Sequence, residues 1–205
     1  TLSYAVAEGV ASIVLNRPHV MNALDAVMIR QLRVVCEKAR DDVAVRVIVL
    51  RGNGPAFLAG GDVASFHANL PRLPDMIIEL AGELHHAIIA LRDAAKPVLA
   101  CVHGAVAGAG VSLLAAADLA IASADTKFTL AYSKIATSPD GGSTYFLPRM
   151  VGTRKALELM MLSDTFDAAA ALSVGLVNWV VPDAELAAAT DKIVRRLVSG
   201  PTVAY

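Results

Sequence analysis

Four short stretches of the 205-residue chain carry residues that could do chemistry. The first is Gly60-Gly61-Asp62, in a loop after an apolar run. The second is the glycine-rich turn from Gly104 to Gly110, which holds Gly108-Ala109-Gly110 and leads into an apolar helical pattern. A strand, a glycine turn and a helix together make an anion site. The first helical N–H groups lack internal partners, and the helix dipole adds partial positive charge. A second loop that supplies another N–H completes an oxyanion hole. Glycine suits both loops because a side chain would block close approach, although close packing alone would also select it. The third stretch is Ser138-Pro139-Asp140-Gly141-Gly142-Ser143, and the fourth is the histidine pair His85-His86.

Other chemistries fit less well. Gly108-Ala109-Gly110-Val111-Ser112-Leu113 imitates the start of a dinucleotide fingerprint but lacks the third glycine and the later carboxylate. Ser112 does not sit in a G-x-S-x-G elbow, which argues against a hydrolase nucleophile. His19, His67 and His103 form no metal-ligand spacing with carboxylates, so no metal is expected. Cys36 and Cys101 are the only cysteines, lie far apart, and read as reduced residues of a cytoplasmic protein. The formal net charge of −1 gives no footprint for nucleic acid. Pro97–Ala117 is apolar enough to raise a membrane question, but its glycines and His103 favour a buried strand, turn and helix, so no membrane partner is expected.

The elements that must position these residues alternate. Strand-like runs fall at Val10–Leu15, Val45–Leu50, Val98–Val102, Leu119–Ala122 and Val177–Val181. Amphipathic helical patterns fall at Asp25–Arg40 (with Asp25 as N-cap), Asp75–Leu91, Thr153–Leu162 and Ala184–Val198. The alternation predicts an α/β fold with a mainly parallel sheet covered on both faces.

In this frame the chain resembles the enoyl-CoA hydratase/isomerase, or crotonase, superfamily. The resemblance rests on Leu15-Asn16-Arg17-Pro18 with Asn22-Ala23-Leu24, on Phe57 to Asp62, and on Pro97-Val98 with Gly104, Gly108-Ala109-Gly110 and Asp118. Ser138 to Ser143 with Leu147-Pro148-Arg149 and Val151-Gly152, and Ala170 with Gly175-Leu176-Val177, extend it over essentially the whole chain. It implies a spiral of β-β-α units over residues 1–182. It also implies that residues 183–205 begin a C-terminal helical, oligomerising region, expected to be incomplete here because family members usually run on. A trimer or a dimer of trimers is the family's assembly, and an acyl-CoA thioester is its substrate. Coenzyme A is then part of the substrate, and no separate cofactor is implied.

Site roles carry over by position. Gly61 and Ala109 match the two oxyanion N–H donors, and Gly61-Asp62-Val63-Ala64 matches the segment that lies along CoA. Ala64 stands where the family often has Lys or Arg, so that contact is not supplied here. The two hydratase glutamates would fall at Ser112 and Tyr132, and neither is acidic. Asp140 remains, at the position of the single acid–base residue in isomerases of this superfamily, and Tyr132 is expected to face the substrate. An enoyl-CoA isomerase of fatty-acid or aromatic-acid catabolism is therefore the favoured reading. The alternatives are a hydratase (a lyase), a 4-chlorobenzoyl-CoA dehalogenase-like enzyme using Asp140, Tyr132 and His85, and a non-catalytic acyl-CoA-binding protein. A purely structural role for Asp140, as cap of a helix starting near Gly141, also stands open.

Overall fold

A computed structural model describes all 205 residues. The chain opens with a hairpin of β1 (Leu2–Ala7) and β2 (Val10–Leu15), whose facing ends are Ala7 and Val10. Its two turn residues, Glu8 and Gly9, both have positive φ. That twist matches the right-handed twist of the strands.

The chain then crosses over through α1 (Ala26–Asp41) to β3 (Val47–Gly52), parallel to β2. Asp25 caps α1 by accepting from the Met28 N–H, and Met28, Leu32, Cys36 and Ala39 form its buried stripe. From β3 onward the path repeats: a long strand, a short strand, then helix. β3 is followed by β4 (Ala56–Leu58), α2 (Val63–Ala68) and α3 (Leu73–Arg92). β5 (Val98–Val102) is followed by β6 (Ala105–Ala107) and α4 (Ala109–Ala116). β7 (Leu119–Ser123) and β8 (Lys127–Thr129) lead to α5 (Ser143–Val151) and α6 (Thr153–Leu162). β9 (Phe166–Asp167), α7 (Ala168–Ser173), β10 (Trp179–Val181) and α8 (Asp183–Ser199) complete the chain. The long strands form one sheet, β1-β2-β3-β5-β7-β10, parallel except at β1. The short ones form a second sheet, β4-β6-β8-β9. This is the expected spiral of β-β-α units.

Strand alternation divides the core. Ile48, Leu50, Val98, Ala100 and Val102 face the main core, under α1, α3 and α4. Val47, Val49, Leu99, Cys101 and Ile121 face the other way and meet Leu186 and Val194 of α8. So α8, expected to open a separate region, covers the outer face of the large sheet. The apolar stretch Pro97–Ala117 resolves into β5, a turn, β6 and the fully buried α4, and no helix is long and apolar enough to cross a membrane.

Some boundaries differ from expectation. Val45 is buried, but its N–H closes a turn onto Asp42, so β3 starts at Val47. Asn178 exchanges hydrogen bonds with the Ala120 backbone, its side-chain oxygen taking a ladder acceptor's place, so β10 starts at Trp179, two residues later than expected. Helix α4 begins at Ala109, two residues before the expected start.

Both cysteines are buried, and burial pushes both thiols above their ordinary value of 9.0. The folded state therefore keeps protons that the unfolded chain releases. The stabilisation is full well below pH 9 and is lost as pH rises through and beyond it, because the unfolded chain's thiols ionise first. Denaturant titrations at pH 8.5 and 10 should show this loss. Cys36→Ala should reduce the pH slope while lowering stability at neutral pH; an unchanged slope would contradict the assignment.

Candidate active site

The two glycine loops meet in space. Gly108 sits at φ 50° and ψ −119°, a backbone shape that L side chains rarely adopt, and it turns β6 into α4. Gly110 follows, and a Cβ there would lie 2.3 Å from the Leu58 carbonyl oxygen, so only glycine lets α4 approach β4. Opposite, Gly60 lies close to Ala107 and Gly108.

Hydrogen bonding leaves two amides over. Leu24 and Gly61 form an isolated parallel β-bridge. Leu24 donates to the Gly60 carbonyl at 2.8 Å, and Asp62 donates to the Leu24 carbonyl at 3.0 Å. In such a bridge the Gly61 N–H has no strand partner, and it donates to no protein group. Ala109 is the first residue of α4, and its N–H is likewise unpaired. Both residues line one cavity of about 860 Å³.

The opposite wall comes from the segment after β8. Gly141 and Gly142 both have positive φ, and a Cβ at Gly141 would strike Ser112. Glycine there lets the Asp140 turn lie against α4. The Tyr132 O–H donates to Asp140 Oδ1 at 2.6 Å. Ser112 Oγ lies 3.0 Å from the Tyr132 oxygen and also 3.0 Å from the Asp140 carbonyl oxygen. The tyrosine has one proton and gives it to the carboxylate, and the single Ser112 hydrogen is shared between the Tyr132 oxygen and the Asp140 carbonyl. Burial, then the Asp140 charge and its hydrogen bond, push the Tyr132 phenol far above its ordinary 10.0. Tyr132 thus serves as a donor to Asp140.

Asp140 does not cap α5 with its side chain. Its carbonyl accepts from the Ser143 N–H and hydroxyl, while the carboxylate faces Tyr132 and the cavity. The helix-cap reading therefore fails, because the two left-handed glycines carry the carboxylate away from the N-terminal amides. Asp140 is also the only carboxylate in the cavity wall.

Other expected residues scatter. Val63 lines the cavity, but Asp62 and Ala64 do not. The Asp62 carboxylate accepts from Ser65 N–H, capping α2, and pairs with Arg17 at 3.0 Å. The apolar wall comes from Phe66, from α3 through Ile77, Leu80, Ala81 and Leu84, and from the segment from Tyr132 to Thr137. His85 lies on the same wall, and its Nε2 accepts from the Gly141 N–H at 3.1 Å. An accepting Nε2 carries no hydrogen, so Nδ1 is the ring's donor and no lone pair is left over. His85 stands among the expected residues only through the dehalogenase-like alternative, and nothing in the residue pattern pointed to its contact with Gly141.

A model of the enoyl-CoA hydratase/isomerase family matches residues 5–205. The chain belongs to this family. It is 37% identical to a Rhodobacter capsulatus protein named "Probable enoyl-CoA hydratase", over 100% of this chain and 78% of that one. It is 32% identical to 1,2-epoxyphenylacetyl-CoA isomerase of Escherichia coli, over 96% of this chain and 76% of that one. Among solved structures, an enoyl-CoA hydratase from Mycobacterium avium subsp. paratuberculosis superposes with a TM-score of 0.90 at 34% identity. That match covers 100% of this chain and 77% of the other.

Proposed function

We propose that the chain isomerises an enoyl-CoA thioester, with Asp140 as its one acid–base residue and the Gly61 and Ala109 amides as its oxyanion hole. The observation that carries this reading is the cavity's single carboxylate, set in the same wall system as two unpaired amides. The relatives' names include both a hydratase and an isomerase, so the names do not choose. The residues do. Hydration with two carboxylates needs a second acid to hold water, and Ser112 and Tyr132 stand in its place.

Isomerisation needs one base. The thioester carbonyl oxygen accepts from both amides. Asp140 takes a proton from the carbon next to the carbonyl, and the electrons move onto that oxygen. The two N–H groups stabilise the enolate charge. Asp140, now protonated, returns the proton two carbons away. Tyr132 holds Oδ1, which leaves Oδ2 to face substrate. Ile29, Phe66, Ile77, Leu80 and Leu84 give the acyl group an apolar surround.

His85 favours a second reading. Beside Asp140, His85 would activate water to cleave an ester on the carboxylate only once its Nε2 releases the Gly141 N–H, as an aryl-CoA dehalogenation with Asp140 as nucleophile would require. One screen separates these readings. Given 3-enoyl-, 2-enoyl- and 4-chlorobenzoyl-CoA, the enzyme should convert 3-enoyl to 2-enoyl thioester and, in D2O, place label on the carbon alpha or gamma to the carbonyl. Chloride release alone would replace the proposal with the second reading. Thioester binding without turnover of any of them would reduce the protein to a binding scaffold.

A further inference from the structure

Arg17 lies outside the cavity, yet it touches the chain on both sides of the bridge that holds the first oxyanion amide. Its guanidinium donates to the Ala23 carbonyl and to Asp62 Oδ2 at 3.0 Å, and pairs with Asp25 at 3.3 Å. Asp25 caps α1 and Asp62 caps α2. Ala23 and Asp25 flank Leu24, and Asp62 follows Gly61. The planar fork therefore spans both sides of the Leu24–Gly61 bridge. Its backbone joins the same stitching: the Arg17 N–H donates to the Asn22 side chain at 2.8 Å. Asn22, fully buried, in turn donates to the carbonyls of Asn53 and Ala56. Farther along, the Ala59 N–H donates to the Met21 carbonyl.

From this geometry we infer that Arg17 is a positioning residue for the oxyanion hole. It clamps residues 23–25 against residues 60–62 and so sets the direction of the free Gly61 N–H. Only 13% of the Arg17 side chain is exposed, and about as little, 15%, of the Asp62 side chain, so solvent screening weakens the pair little. Lysine cannot replace it. An ammonium is a point donor without the planar fork that reaches a carbonyl and two carboxylates together.

This inference rests on the oxyanion reading given above, and the test separates the two. Cinnamoyl-CoA has a chromophore conjugated to its thioester carbonyl, so its absorption band should move to the red when two N–H groups polarise that oxygen. The parent enzyme should show the shift on binding. Arg17→Lys should bind cinnamoyl-CoA with a Kd within a few-fold of the parent, show a clearly smaller shift, and lose roughly 10–10² in kcat with KM little changed, as expected for a small misplacement of a catalytic group. Asp62→Asn, which keeps the α2 cap acceptor but removes the ionic partner, should move both readouts in the same direction by less. No shift in the parent, with thioester bound, would overturn the oxyanion reading itself. A full shift and parental kcat in Arg17→Lys would overturn only the role of Arg17. The same conclusion follows if kcat falls solely in step with the folded fraction, as read by circular dichroism.

Discussion

Asp140→Asn should lower isomerisation of 3-enoyl-CoA by at least ~10² while thioester binding stays within a few-fold of the parent. The substitution is close to isosteric. Its amide oxygen can still accept from Tyr132, so the turn over α4 should keep its shape. Only the proton acceptor goes. No other carboxylate lines the cavity to take over, Tyr132 is held protonated, and Ser112 spends its hydroxyl within the cluster. Turnover by the variant at the parental rate would remove Asp140 from the mechanism. A mass increase on Asp140 in the parent after 4-chlorobenzoyl-CoA, absent in the variant, would instead favour the nucleophilic reading. Tyr132→Phe gives the companion measurement: it frees Oδ1 and should lower kcat more than it raises KM, because the carboxylate loses its fixed direction.

Much of this site is visible in the residue types, because backbone conformation selects them. Gly108 and Gly110 mark a left-handed turn and a close approach, and both demands exclude other residues. β5 stands out as a continuous apolar run because it lies inside a parallel sheet, buried on both faces. The second sheet is not visible. β4, β6 and β8 are three residues each, too short for a period-two pattern to separate from loop. Asp140 shows the limit for side chains. Ser-Pro-Asp-Gly-Gly-Ser reads equally as a helix cap or as a presented carboxylate, and the choice depends on Tyr132, eight residues away, lying within 2.6 Å. Likewise, Arg17, Asn22 and Asp62 read as a family signature, whereas their work is to hold a loop whose sequence lies about 40 residues later.

Ala109→Pro should abolish most activity, by roughly 10²–10³ or more, and leave the fold intact. Most proline substitutions confound lost function with lost structure. Here the position is permissive. Ala109 is the first residue of α4, where proline's fixed φ suits the helix and its missing N–H breaks no internal bond. Its N–H serves no protein partner, so stability should change little. Residue 108 is glycine in an extended-type conformation of inverted hand, with no Cβ to meet the proline ring. Gly61 offers no such clean test. A Cβ there would lie 2.6 Å from the Phe66 ring, so Gly61→Pro would disturb α2 as well as remove the donor. In Ala109→Pro, the thermal midpoint should stay within a few degrees of the parent, cinnamoyl-CoA should lose most of its red shift, and kcat should collapse. A variant that keeps its rate would show that the α4 amide is not a donor to the thioester oxygen, and the enolate would then need another source of stabilisation.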